Sequence, residues 1–405
     1  MNNSTTPSSL RRLPRNVWVV TATSFLTDIS SEMLVNVIPL FLANVLGAKT
    51  AVIGLIEGIA ETTASLVKLY SGWLSDKLGK RKWLTVLGYG LSTIAKPFLY
   101  FADAWGWVLG VRFTDRLGKG VRTAPRDALI AASIDEKQRG LAFGLHRAGD
   151  TSGAFLGLAI AAAIIWATQK TDSLLTRATF QVIVLASIVP AVLAVLVLAL
   201  GAREVALEKG NAAPSFRLAG MDKRFKFFLL TVVLFTLGNS SDAFVILRAQ
   251  ERGLSLLQVM GMLLTFNLIY ALLSGPLGAL SDRIGRRKLI IGGWTAYGLV
   301  YLGFALSRTG YQVWALFALY GIYYAAVEGT AKALVADLVP PEKRGTAYGL
   351  YNGAIGLAAL PASLIAGILW QGAFGWAGFG AAAPFFFGAG LALLAGLLFW
   401  RGVKV

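Results

Sequence analysis

The sequence predicts an all-α membrane protein, with twelve transmembrane helices in two pseudo-symmetric six-helix bundles. Three observations carry that expectation. First, the 405 residues are 56% hydrophobic and only 15% charged, with a mean hydropathy of +0.64, whereas a soluble chain carries about 25% charge. Second, a charged turn between two apolar runs, Gly72–Lys82 (GWLSDKLGKRK), returns as Gly278–Lys288 (GALSDRIGRRK). Third, Ala128-Leu129 through Arg139-Gly140 reappears as Ala333-Leu334 through Arg344-Gly345, at the same offset to within one residue. Two echoes in register mark a tandem duplication.

A spanning helix needs about 20 mostly apolar residues. Runs of that kind fall at 17–44, 51–75, 83–102, 105–131, 140–167, 177–200, 226–249, 256–280, 289–307, 312–338, 346–370 and 377–400. The fourth and tenth are the most polar. The first follows Arg11, Arg12 and Arg15 but contains Asp28 and Glu32, so it reads as a retained helix and not a cleaved signal.

The division expected is a tail at 1–16, a bundle at 17–200, a linker at 201–225, a second bundle at 226–400 and a tail at 401–405. Bases crowd one set of turns, among them Lys77, Lys80, Arg81, Lys82, Lys137, Arg139, Arg283, Arg286 and Arg287. The opposite turns hold little beyond Lys49, Lys170, Arg252 and Arg308. The positive-inside rule then places both termini in the cytoplasm, in an inner membrane. The linker, with Glu204, Glu208, Lys209 and Arg217 around Pro214, reads as a tether.

The net charge of +17 does not make a nucleic-acid binder, because the bases sit in short turns on one side. The chain has no Cys, one His and five scattered Met, so neither thiol chemistry nor a metal site is expected. No P-loop or nucleophile motif is present, which argues against an enzyme. No cofactor is expected beyond a proton gradient.

Charge at membrane depth costs about 2.5–3.5 kcal/mol on insertion scales, so such a residue lines a polar hollow or has a partner. Asp28 and Glu32 are four apart on one face of helix 1; Glu57, Glu61 and Lys68 lie close to one face of helix 2. Helix 5 carries His146, Arg147 and Asp150; helix 10 carries Glu328 and Lys332 at ion-pair spacing. Ser30-Ser31-Glu32 is echoed by Ser240-Ser241-Asp242. In helix 4, Arg112, Asp115, Arg116, Lys119, Arg122 and Arg126 fall within about a third of the circumference. Arg112 and Arg116 read as a stripe for an anionic group; for Arg122 and Arg126, reaching the headgroups is the competing reading.

A carboxylate buried among apolar groups holds its proton more firmly, which suits it to proton coupling. Asp28, Glu32, Glu57, Glu61 and Asp242 are the candidates, Glu32 and Asp242 foremost because they hold matching places in the two halves. Arg112, Arg116, Arg147, Asp150, Glu328 and Lys332 are the candidates for substrate binding. Trp18, Phe25, Tyr320, Tyr323 and Tyr324 are aromatic candidates for the same hollow.

GWLSDKLGKRK resembles the signature turn between helices 2 and 3 of the major facilitator superfamily, and GALSDRIGRRK its degenerate copy between helices 8 and 9. The resemblance covers about residues 16–400 and implies a secondary transporter working by alternating access. It implies a central cavity walled by helices 1, 2, 4, 5, 7, 8, 10 and 11, with Lys96 of helix 3 an exception to the placement of charge. It implies a conformational latch at Gly72, Asp76, Gly79, Lys80 and Arg81, and at Asp282 and Arg286. The family's helix 4 carries Arg, then Gly four and six residues on; Arg112 and Gly118 fit, but Arg116 replaces the first Gly. Drug/proton antiporters of the family carry a Gly-rich helix 5 ending in Gly-Pro. Gly149, Gly153 and Gly157 match in part, without the Pro, and also suit plain helix packing. The reading is a monomer in a lipid bilayer that exports, by proton coupling, a small organic solute with an anionic or zwitterionic group. The alternative is uptake or facilitated diffusion of a small anionic metabolite.

Overall fold

The structure is a computed structural model that describes residues 13–134, 139–169, 174–205, 218, 220–340, 343–373 and 375–403. Arg11, Arg12, Lys137, Lys170, Glu208, Lys209, Pro214 and Arg217 lie outside the described residues, as do the side chains of Asp76, Arg139 and Asp282.

Twelve helices follow in order. The first six are α1 (Arg15–Val45), α2 (Thr50–Leu78), α3 (Arg81–Ala95, continued as a 3₁₀ segment Lys96–Phe101), α4 (Trp105–Ala132), α5 (Arg139–Thr168) and α6 (Arg177–Gly201). The second six are α7 (Lys223–Glu251), α8 (Leu256–Ile284), α9 (Arg286–Leu306), α10 (Gly310–Asp337), α11 (Arg344–Gln371) and α12 (Ala383–Gly402). Among the described residues, nine are long and apolar enough to cross a membrane. The three that fall short are α3, cut by the change to 3₁₀ at Lys96-Pro97; α4, with its charged stripe; and α10, with its tyrosines.

Local chemistry explains the boundaries. Ser255 with Gln258 and Thr309 with Gln312 form capping boxes that start α8 and α10, each satisfying orphan N–H groups at a helix start. Glu204, at the beginning of the linker, accepts from the Arg81 and Lys82 N–H groups at 2.9 and 3.0 Å and caps α3. Asn16 ties the same strap down: its side chain donates to the Arg203 carbonyl and accepts from the Arg203 N–H. The linker therefore begins against the first bundle, and α7 starts at Lys223, three residues before the expected boundary.

The duplicated turns reveal where the repeat slips. Gly79 ends α2 in the left-handed conformation (φ 63°), and Lys80 intervenes before α3 starts at Arg81. Gly285 (φ 91°) both ends α8 and opens α9 at Arg286, with no residue between. One residue is lost there, so the offset falls from 206 before the turn to 205 after it. The equivalence is physical: Arg81 donates to the Ala128 carbonyl at 3.0 Å, and Arg286 donates to the Ala333 carbonyl at 2.9 Å. Arg286 also pairs with Asp337. Arg81 and Arg286 thus each fasten their turn to the end of helix 4 or 10 of their own half, and Gly72 lets α2 approach Ala124 of α4.

The bundles are α1–α6 and α7–α12, and they meet along α2 with α11 and α5 with α8. The α2/α11 seam is close. A Cβ on Gly54 would stand 2.1 Å from the Ser363 carbonyl oxygen, and one on Gly367 2.3 Å from that of Thr50. Thr50 and Thr62 hydroxyls donate across it to the Gly367 and Gly356 carbonyls at 2.9 and 2.6 Å. Gly149, Gly153 and Gly157 of α5 press on the backbone of α1 at Thr21, Phe25 and Ile29. Packing accounts for that glycine stripe, so it carries no information on transport direction.

Candidate functional site

Two helices are broken where the halves face each other. Helix α1 loosens at Asn36-Val37, and α7 opens between Gly238 and Ala243. Around these breaks lies a hollow of about 480 Å³ on the line between the bundles. Polar side chains emerge into it as α2 and α10 run toward the side where the termini emerge: Glu57 is 7% exposed but Glu61 48%, and Glu328 34% but Lys332 50%. The opposite side is closed by the α2/α11 seam and by Ile38–Leu40 against Ala243–Glu251.

All five proton candidates, Asp28, Glu32, Glu57, Glu61 and Asp242, line this one hollow, as do Arg112 and Arg116. Glu57 and Arg112 form an ion pair at 2.8 Å, both nearly buried. Glu61 lies 3.5 Å from Arg116, which also reaches Asp115 at 3.9 Å. Asp28 makes no hydrogen bond or ion pair among the described residues, and Glu32 accepts only from its neighbour Asn36 at 2.9 Å. Asp242 accepts from the Tyr320 hydroxyl at 3.2 Å. Glu32 stands in the turn before the α1 break, whereas Asp242 sits at the α7 break itself.

Four substrate candidates lie elsewhere. Arg147, Asp150, Glu328 and Lys332 do not line the hollow. Glu328 is two turns beyond Tyr320 toward the termini side, which is why charge on these helices does not reach the centre. Arg147 of α5 donates to the Tyr270 hydroxyl of α8 and stacks on its ring at 5.4 Å, bridging the halves. Tyr270 donates to Glu328 at 2.6 Å, and Lys332 pairs with Glu328 at 3.0 Å. Asp150 faces the buried His146 at 3.8 Å.

Other expectations need correction. Arg122 and Arg126 do not reach outward: Arg122 donates to Ser92 at 2.6 Å and lies 4.5 Å over the Tyr89 ring, and Arg126 donates to Ser24 at 3.2 Å. Helix 5 contributes nothing to the lining; α3 contributes Lys96 and Leu99. Lys96, 4% exposed, donates to Ser30 at 2.5 Å and Ser31 at 3.1 Å of α1. Its signal was a lone lysine before a proline in an apolar run. Of the aromatic candidates, Tyr320 and Tyr324 line the hollow. Tyr323 turns away onto Tyr297, Phe25 packs against the apolar core, and Trp18 is 44% exposed and does not line the hollow.

The repeat offset reads the second wall residue by residue. At 206, Glu57 and Glu61 correspond to Leu263 and Asn267; at 205, Arg112, Asp115 and Lys119 correspond to Phe317, Tyr320 and Tyr324. All ten of these residues line the hollow. Each of these five ionic positions of the first half has a neutral counterpart in the second; Glu32, echoed by Asp242, is an ionic position kept in both. Phe266, stacked on Phe317 and Tyr320 at 4.8 and 5.8 Å, completes an aromatic surface opposite the charges.

Comparison with known proteins agrees with this architecture. The sequence model of the Major Facilitator Superfamily matches residues 20–264 and 227–405. An uncharacterised MFS-type transporter of Methanocaldococcus jannaschii is 36% identical over 394 residues, 96% of this chain and 95% of that one. The multidrug resistance efflux pump PmrA of Streptococcus pneumoniae is 24% identical over 328 residues, 78% of this chain and 79% of that one. Among solved structures, the nucleoside transporter NupG superposes with a TM-score of 0.80 at 14% identity, covering 96% of this chain and all of its own. A D-xylose–proton symporter superposes with a TM-score of 0.76 at 15% identity, covering 96% and 98%. Similarity to those two structures shows the fold alone. With its duplicated turns, twin bundles and central charged hollow, the chain belongs to the Major Facilitator Superfamily of membrane transporters.

Proposed function

We propose that the chain is a proton-coupled secondary transporter of the cytoplasmic membrane, with both termini inside, that exports a small organic solute with an anionic or zwitterionic group. One observation carries the reading. Carboxylates without a base partner, Asp28 and Glu32, and bases without a carboxylate partner share a single hollow between the two halves. A carboxylate with no fixed base partner is free to exchange a proton, and a solute that needs the same carboxylate competes with it. A zwitterion whose cationic end occupies Asp28 or Glu32 is displaced by protons, which is the logic of antiport. The efflux name of PmrA supports the outward direction.

The same groups favour a second reading when the solute is a pure anion. Protonating Asp28 or Glu32 then removes a negative charge that would repel the anion, so proton and anion bind together, and the chain works as an uptake symporter. The two differ in sign. Thermal stabilisation of the purified protein across labelled amino acids and organic acids at two pH values finds the solute. Proteoliposomes with an imposed pH gradient then give direction: substrate moving against the proton flow supports export, substrate moving with it supports uptake. Flux indifferent to the gradient removes both.

A further inference from the structure

Three bases of the first-half wall are left without a carboxylate. Lys96 is held by two serine hydroxyls, and Arg122 by Ser92 and the face of Tyr89. Lys119 makes no hydrogen bond or ion pair among the described residues, and it is exposed to the hollow that it lines. Lys96 and Arg122 are 4% and 6% exposed. The neighbouring arginines are already engaged: Arg112 by Glu57, Arg116 by Glu61 and Asp115. Three bases thus stand without a carboxylate partner although the wall is balanced overall, with five bases and five carboxylates, because Arg116 is shared by two of the acids. For Lys96 and Arg122, burial without a counter-ion is costly unless a ligand supplies the charge, and Lys119 stands exposed beside them to receive it.

Opposite stands the aromatic surface of Phe266, Phe317, Tyr320 and Tyr324. Such a wall favours a flat π-face over a saturated ring of the same size.

We infer that Lys96, Lys119 and Arg122 form the anion-receiving end of the substrate site, and that the substrate carries a carboxylate or phosphate at one end and a flat aromatic body at the other. The inference rests on the transporter reading only in placing substrate in the central hollow. It moves the anion receptor away from Arg112 and Arg116, whose charge is spent within the protein.

The test is equilibrium binding of labelled 2-naphthoate to the purified full-length protein in nanodiscs, without any transport step. Its neutral amide and decalin-2-carboxylate serve as comparators. The expected result is saturable binding of 2-naphthoate, at least about tenfold tighter than the amide. Lys119→Gln weakens it by about tenfold, whereas Lys223→Gln, which removes an exposed charge at the start of α7, does not. Tyr324→Leu narrows the preference for 2-naphthoate over the saturated acid. The Lys119 side chain holds nothing in place, so its variant reports on binding even if Arg122→Gln fails to fold. Equal binding of the acid and the amide overturns the inference. So does unaltered affinity in both Lys119→Gln and Arg122→Lys, or no saturable binding at millimolar 2-naphthoate. Binding as described without vesicle flux would keep this inference and sink the preceding one.

Discussion

The two walls of the hollow descend from one duplicated sequence and have parted in chemistry while keeping their mechanics. The scaffold pair, Arg81 on Ala128 and Arg286 on Ala333, is the same in both halves. The lining is not: Glu57 with Arg112 faces Leu263 with Phe317, and Lys119 faces Tyr324. Two matching bundles need the same scaffold, and the turns that end their helices are held alike. Chemistry needs only one wall of bases, since burying bases on both sides of the hollow would double the desolvation cost. Asp242 apart, the second half is therefore free to supply a neutral, flat surface.

The largest expected effect comes from exchanging one wall pair for the other. Arg112→Phe alone strands a buried Glu57 carboxylate and should cost about 3–5 kcal/mol. Adding Glu57→Leu, which recreates the Leu263–Phe317 pair, should recover most of it in thermal unfolding. A double variant no more stable than the single would show that the two walls are not interchangeable in packing.

Arg248 tests the other side of the comparison. It is the second half's buried base, 1% exposed, and it donates to the Phe304 and Ala305 carbonyls at the end of α9 while pairing with Glu251. Its role is structural, so Arg248→Met should cost about 3 kcal/mol of stability. Lys119→Met, by contrast, should move stability by no more than about 0.5 kcal/mol. A large loss at Lys119 would mean that the first wall's bases are structural too.

Along the seam, Gly367→Val forces a side chain into the Thr50 backbone and should destabilise the closed side by about 1–3 kcal/mol. Gly278→Ala, with nothing within 4 Å of its Cβ, should be neutral or gain up to about 1 kcal/mol from helix propensity. A modest effect is expected at Tyr320→Phe, which removes one hydrogen bond to Asp242 and should cost about 1 kcal/mol.

Much of this was legible in the sequence, and the gaps have physical causes. Helix number and the duplication could be read because a bilayer demands long apolar runs, and Gly79 and Gly285 mark where they turn. The charged residues of α1, α2 and α4 could be assigned to a hollow because lipid does not tolerate them. Depth was not legible: Glu328 and Lys332 carry the same helical signal as Tyr320 but lie two or three turns nearer the mouth. Nor was Lys96, whose direction depends on how α3 packs against Ser30 and Ser31 of a helix far away in the chain. The tyrosines were half legible. The spacing of Tyr320 and Tyr324 puts them on one face, and turns Tyr323 about 100° away from Tyr324.

The central claim is that the proton and the substrate meet on the first-half wall. Its most direct measurement is 2-naphthoate flux in proteoliposomes across an imposed pH gradient, for the wild type and for Asp28→Asn/Glu32→Gln. Gradient-dependent flux in the wild type, reduced in the variant to exchange that ignores the gradient, is the predicted result. An equally pH-driven flux in both would place the proton elsewhere and contradict the account.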